Sequence, residues 1–222
     1  LGENFRGIVI SDRYSAYNWL EITRRQLCWA HLKRDFTNAS TKLSTRISER
    51  SGKAGQIGEQ LLACTNRLFR LWHMTRDGAL SRPQFSKSTE PIIALTEQLL
   101  EQGAACDESK TANTCKKLLK QKAALWTFIE VEGVEPTNNL AEQTIRFYVM
   151  WRKLSYGTQS ERGDRFVERV LTATATCRLQ GRDSLEYMTA AVSAYLKGEA
   201  APSLLPNLNE GCADLIPASL AA

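Results

Sequence analysis

One long stretch of helical periodicity, residues 56–122, divides the chain and limits the folds that it can adopt. Apolar residues such as Ile57, Leu61 and Leu68 recur there at the three- and four-residue spacing of an amphipathic helix. This part is therefore predicted to be all-helical. Because the sequence pattern on either side is different, we interpret residues 46–122 as a helical insertion within a domain of another class.

Residues 1–45 carry an α/β pattern. The β-branched apolar run Arg6–Ser11 stops at Asp12, which predicts a short buried strand with a carboxylate at its C-terminal end. A second strand candidate, Gln26–Trp29, precedes a helical pattern over residues 30–39. These elements are predicted to form the first part of an α/β core.

Residues 123–200 are predicted to complete that core. The segment Glu135–Asn139 has the residues of a helix start, since Thr and Asn side chains cap free backbone amides. The predicted helix carries Glu142 near its beginning and continues to about Met150. Further amphipathic helices are expected downstream, and residues 201–222, which show no period, are interpreted as a loose tail.

Charge and cysteine content narrow the classes of protein. The 222 residues carry 29 Lys and Arg against 24 Asp and Glu, a net charge of +5 that favours a polyanionic partner. The six cysteines include no CxxC pair, so they are expected to be reduced thiols in a cytoplasmic protein. No apolar run has the length of a membrane-spanning segment.

Two carboxylates, Asp12 and Glu142, have contexts that suggest chemistry. A fold that packs the Glu142 helix beside the strand ending at Asp12 would join two hard oxygen ligands suited to Mg²⁺. Such ions activate a water or a 3′-hydroxyl and stabilise the leaving oxygen of a phosphodiester. Purely structural explanations stay open, because Asp is common in turns and Glu142 with Arg146 forms an ordinary i,i+4 pair.

Five phrases along nearly the whole chain resemble the insertion-sequence-66 family of transposases. The most specific are VEPTNNLAEQTIR, from Val134 to Arg146, and WRKLSYGTQSERG, from Trp151 to Gly163. Two further phrases, SDRYSAYNWL and RRQLCWAHLKRDF, precede these along the chain. The fifth, LTATATCRLQGR, follows them.

This resemblance implies a DDE enzyme with an RNase H-like core and Mg²⁺ or Mn²⁺ as cofactor. Asp12 is then the second acid of the catalytic triad and Glu142 the third. The fold class expected is α/β, a partial RNase H-like core with a large all-helical insertion and C-terminal helices.

The first acid of the implied triad has no counterpart upstream of Arg6. We therefore expect a truncated or split transposase product, related to an active enzyme that acts on transposon ends and target DNA, but inactive alone. It could self-associate or take the missing segment in trans. The alternative is a non-catalytic DNA-binding or regulatory remnant of a mobile element.

Cys28 and His31 form a CxxH element of the kind that, by the same resemblance, shapes the active site or contacts DNA. A zinc site is less favoured, since two ligands do not close a tetrahedron and His73 lies in the predicted insertion. A core cysteine and a helix-starting histidine explain the pair equally well.

Basic, aromatic and amide residues near the two acids are candidates for positioning a DNA strand. Phosphate contacts of this type supply affinity without reading sequence. Each can also be a solvated surface residue or, for the asparagines, a helix cap. The candidates are Arg34, Asn138, Asn139, Arg146, Trp151, Arg152 and Lys153.

Overall fold

The computed structural model describes residues 5–37, 47 and 52–205. Within them the chain has two strands and eight α-helices, and it divides into two compact units, Leu1–Asn138 and Asn139–Ala222. The division falls inside the predicted second part of the core. None of the described helices combines the length and apolarity needed to cross a membrane.

The two strands form a small parallel sheet in the first unit. Strand β1 (Val9–Ser11) pairs with β2 (Arg25–Leu27), with Ser11 opposite Leu27. The connection contains two short 3₁₀ turns, Ser15–Tyr17 and Ile22–Arg24, which give it the length that a parallel crossover needs. Helix α1 (Trp29–Phe36) follows β2 directly.

Helix α5 (Ala123–Glu130) covers this sheet and holds its second strand. The Gln26 side chain accepts a hydrogen bond from the Phe128 backbone N–H (2.8 Å), and the Thr127 hydroxyl donates to the Arg25 carbonyl (2.8 Å). The Trp29 indole N–H donates to the Leu125 carbonyl (2.8 Å). A two-stranded sheet is marginal by itself, so these contacts from α5 help to stabilise it.

Three helices occupy the stretch that was predicted to be helical. They are α2 (Lys53–Arg76), α3 (Arg82–Ala104) and α4 (Ser109–Lys120), and α3 packs against both of the others. Helix α3 contains Pro91, nine residues after its first residue. Its start is fixed by Gln84, whose side chain accepts from the Ser81 backbone N–H (3.0 Å) in a capping box.

The second unit contains α6 (Asn139–Ser155), α7 (Glu161–Leu179) and α8 (Ser184–Lys197). Tyr156 and Gly157, which follow α6, have positive φ angles of 59° and 86°.

Residues 198–205 follow α8, and part of this stretch packs back on the unit: the Gln180 amide donates to the Leu204 carbonyl (2.8 Å) and the Tyr187 hydroxyl to that of Pro202 (3.3 Å). The start of the predicted loose tail is thus anchored, and residues 206–222 lie outside the described part.

The α/β prediction is met in part. Strands and helices alternate only over residues 9–36, and the rest of the described chain is helical. A complete RNase H-like sheet is not seen in these residues, which leaves that finer assignment as a prediction.

Candidate metal and DNA site

Asp12 stands directly after β1, as the sequence predicted. One of its carboxylate oxygens, Oδ1, accepts a hydrogen bond from the backbone N–H of Tyr14 (2.9 Å), which fixes the side chain in an Asx turn. The residue is half-buried. Because that hydrogen bond uses one oxygen, the carboxylate keeps capacity for a further ligand.

A buried arginine, Arg25, forms hydrogen bonds to Asp12 and to residues near it. Arg25 is 1% exposed, and its guanidinium donates to the Ser11 hydroxyl (2.9 Å), the Asp12 carbonyl (2.7 Å) and the Tyr17 carbonyl (3.4 Å). Burial lowers the pKa of Arg25, and the nearby Asp12 carboxylate opposes that shift. The sequence analysis gave Arg25 no role in the site, because nothing in the local sequence distinguishes it from its half-buried neighbour Arg24.

Cys28 connects the end of β1 to the start of α1. Its backbone N–H donates to the Ser11 carbonyl (2.9 Å), and it occupies the N-cap position of the helix. Its side chain is buried, as the structural alternative for this cysteine required. His31 is half-buried in the first turn of α1, with its backbone N–H donating to the Cys28 carbonyl (3.1 Å).

The segment 136–138 is attached to this same place. The Trp29 backbone N–H donates to the Pro136 carbonyl (2.9 Å), and the Asn138 backbone N–H donates to the Cys28 sulfur (3.5 Å). These two contacts, between residues more than a hundred positions apart in sequence, define what we call the CxxH clamp. It brings the chain just before α6 to the end of the strand that carries Asp12.

The buried Oδ1 of Asn138 has no hydrogen-bond partner among the described residues. A buried, unsatisfied oxygen is uncommon and is expected where a ligand or ordered solvent binds. Asn138 is half-buried, and it immediately precedes the predicted metal-ligand helix. Its amide oxygen and the open oxygen of Asp12 are both hard donors, so the donor chemistry here fits Mg²⁺ or Mn²⁺.

Glu135, one residue before the clamp, meets the end of α2. Burial raises the pKa of the Glu135 carboxyl, while the charges of Arg76 and His73 and a contact with the Trp72 side chain oppose that shift. The C-terminal end of α2 thus borders the Glu135 segment. This contact had no sequence signal.

Helix α6 carries Glu142 in its first turn, where a carboxylate is stabilised by the helix dipole. Asn139 is the first residue of this helix and is exposed. At 3.6 residues per turn, Arg146 and Lys153 share the face of Glu142, and both are exposed.

The remaining predicted DNA contacts are arranged differently. Trp151 lies about 180° around α6 from Glu142, where it stacks on Tyr148. Arg152 is exposed about 80° from Glu142. Arg34 is exposed on α1, and its neighbour Asp35 forms an ion pair with Arg13.

No three His, Cys, Asp or Glu side chains meet in a metal-binding arrangement within residues 5–37, 47 and 52–205. Cys28 and His31 therefore gain no further zinc ligand from the described chain. Asp12 belongs to the first unit and Glu142 to the second.

Comparison with known proteins gives two similarities. A sequence profile described as "Transposase IS66 family" matches residues 1–165. The chain is also 29% identical over 208 residues to "Uncharacterized protein y4qI" of Sinorhizobium fredii (strain NBRC 101917 / NGR234). That alignment covers 87% of the chain but 37% of the relative, so the chain spans little more than a third of that protein. No solved structure matches the chain.

Proposed function

Because the chain belongs to the transposase IS66 family, we propose that it acts in DNA transposition by metal-dependent phosphoryl transfer. In this proposal Asp12 and Glu142 are two acids of a catalytic DDE centre in an RNase H-like core. The substrate is DNA, at the ends of the element and at the target.

The observation that carries the proposal is the CxxH clamp. Its two hydrogen bonds join Cys28 and Trp29, beside the end of β1, to Pro136 and Asn138. Glu142 lies four residues after Asn138, in the first turn of α6. The clamp holds residues 136–138, which lead into α6, beside the end of β1. This supports the proposal that two acids separated by 130 residues serve one ion.

The cofactor in this proposal is Mg²⁺ or Mn²⁺, which when bound would polarise phosphate oxygens and lower the pKa of an attacking water or hydroxyl. Asp12 and Glu142 would hold it through carboxylate oxygens, and the amide oxygen of Asn138 would supply a further donor. Arg146 and Lys153, on the Glu142 face of α6, would bind the phosphates of the strand. The Asx turn and Arg25 keep the Asp12 backbone in one conformation.

Mobilisation of the element that encodes the chain tests this function. The substitutions Asp12→Asn and Glu142→Gln remove charge with little change in shape, and Asn at position 12 keeps an acceptor for the Tyr14 N–H. We expect each to reduce excision by at least about 100-fold, since even the residues that orient metal ligands are worth 10- to 100-fold.

Two acids outside the site provide matched controls. Asp77 pairs with Arg76, and Glu168 is exposed on α7. The substitutions Asp77→Asn and Glu168→Gln should leave excision unchanged. Equal losses of excision in the control and site variants would mean that the number of acidic side chains matters, and not their positions. An element that never moves, while the chain still binds its ends, would favour a regulatory DNA-binding role.

A further inference from the structure

The first half of α7 separates its charges into two stripes. Around a helix of 3.6 residues per turn, Arg162, Arg165 and Arg169 lie within about 60° of one another. The acids of the same segment lie within a similar arc, centred about 100° away. They are Glu161, Asp164 and Glu168. The arginines are therefore concentrated on one side of the helix.

Phe166 borders this arginine stripe and is 66% exposed. We call Arg162, Arg165, Phe166 and Arg169 the arginine face. Together with Glu161 they line a shallow surface depression of about 450 Å³. All three arginines are exposed, so the face is open to a partner.

The ion pair on this face is weak competition for such a partner. Arg165 contacts Glu161 at 2.6 Å, but their side chains are 63% and 79% exposed. Exposed i,i+4 pairs contribute little to stability and are screened by salt. Arg178, farther along α7, differs because its guanidinium already lies over the Phe147 ring, 4.9 Å from the centroid.

We propose that the arginine face binds a single strand of DNA, with phosphates on the arginines and a base stacked on Phe166. The proposal rests on the proposed function for its substrate class, but it concerns a surface that no sequence prediction included. Most of this face lies at or beyond residue 165, where the family match ends.

The spacing of the arginines fits a DNA strand, and the exposed aromatic favours a single strand over a duplex. Arg162 and Arg169 are seven residues apart, about 10 Å along the helix, over which a strand rising 3.4 Å per nucleotide passes about three phosphates. An exposed aromatic beside such cations can stack an unpaired base, whereas the bases of a duplex are already stacked. Guanidinium groups suit this task because their planar donors match phosphate oxygens.

Fluorescence anisotropy with a labelled oligo-dT of about 20 nucleotides tests this assignment, using the whole chain in 50–200 mM salt. The triple variant Arg162→Gln, Arg165→Gln, Arg169→Gln should bind at least about tenfold more weakly. The slope of log affinity against log salt should fall by about 2, since each single-strand phosphate contact contributes about 0.7. Far-UV circular dichroism checks that the variant remains folded.

A second triple variant, Lys116→Gln, Lys117→Gln, Lys120→Gln, removes the same charge from the exposed surface of α4. It should leave the salt slope nearly unchanged. Equal losses in the two triple variants would overturn the assignment, because net charge alone would then explain binding.

Phe166→Ala isolates the stacking contact. We expect about tenfold weaker binding of oligo-dT, with the salt slope unchanged, no effect on a duplex and recovery in Phe166→Trp. Unchanged single-strand binding in Phe166→Ala would overturn the proposed mode, as would competition by polyglutamate that equals competition by oligo-dT. If the element is not mobilised but these effects on oligo-dT binding are observed, the proposed function is contradicted and the arginine face is not. The failures of the two proposals are therefore distinguishable.

Discussion

The two units of the chain are stabilised in different ways. The first buries a large apolar core that includes Trp29, Leu61, Phe85 and Phe128. Among the described residues of the second unit, Cys177 and Ala194 are the buried ones, whereas large apolar side chains such as Leu154 (81%) and Tyr195 (82%) are exposed.

Local contacts are correspondingly prominent in the second unit. The Asp183 carboxylate caps α8 by accepting from the backbone N–H groups of Leu185 (2.7 Å) and Glu186 (2.9 Å). Ser160 caps α7 by accepting from the Gly163 N–H (3.1 Å), and Gly198 ends α8 with a φ of 70°. The difference teaches that burial dominates the stability of the first unit, while helix ends matter more in the second.

The largest difference is expected when apolar side chains are truncated. Phe128→Ala should lower the free energy of unfolding by about 3–5 kcal/mol, because it removes a fully buried ring and leaves a cavity. Leu154→Ala, at an exposed position of α6, should change it by less than about 0.5 kcal/mol. Chemical denaturation followed by circular dichroism measures both, and similar losses would remove the contrast between the units.

The buried Arg25 should matter more than its neighbour Arg24. Arg25→Met leaves the Ser11 hydroxyl and the Asp12 and Tyr17 carbonyls without that donor, so we expect a loss of about 1–3 kcal/mol. Arg24 donates to the Phe5 carbonyl (2.6 Å) in an exposed position, and Arg24→Met should cost less than about 0.5 kcal/mol. If Arg25→Met leaves the free energy of unfolding unchanged in the same denaturation experiment, the hydrogen bonds of Arg25 add little net stability.

The smallest effect concerns the cap of α8. Asp183→Ala should cost about 1 kcal/mol, because it removes the acceptor for two free backbone amides, whereas Asp183→Asn keeps a capping oxygen. Hydrogen exchange should show faster exchange of residues 184–188 in the alanine variant. Unchanged exchange would mean that packing, not the cap, maintains this helix end.

Local patterns in the sequence predicted much of the secondary structure. The strand that precedes Asp12 follows from an apolar run, and the helix containing Glu142 follows from the helix-start residues before it. Both signals depend on near neighbours in sequence. Helix ends were less predictable: α6 continues to Ser155, five residues past the expected end at Met150.

Contacts between distant residues carried no comparable signal. The burial of Arg25, the cover that α5 gives to β2 and the bond from Asn138 to Cys28 each join segments that are separate in sequence. The position of Trp151, opposite Glu142 on α6, was in principle predictable, since nine residues correspond to about two and a half turns. The charge stripes of α7 are likewise visible in the sequence once its helix is known.

Iron-directed backbone cleavage tests most directly whether Asp12 and Glu142 share one divalent ion. Fe²⁺ replaces Mg²⁺ at such oxygen sites, and with ascorbate and peroxide it produces hydroxyl radicals that cut nearby backbone. Mass spectrometry should find cuts both around residues 10–14 and around residues 138–143, suppressed by excess Mg²⁺ and lost from both places in Asp12→Asn or Glu142→Gln. Cuts at one segment alone, or cuts that persist in either variant, would contradict a shared ion.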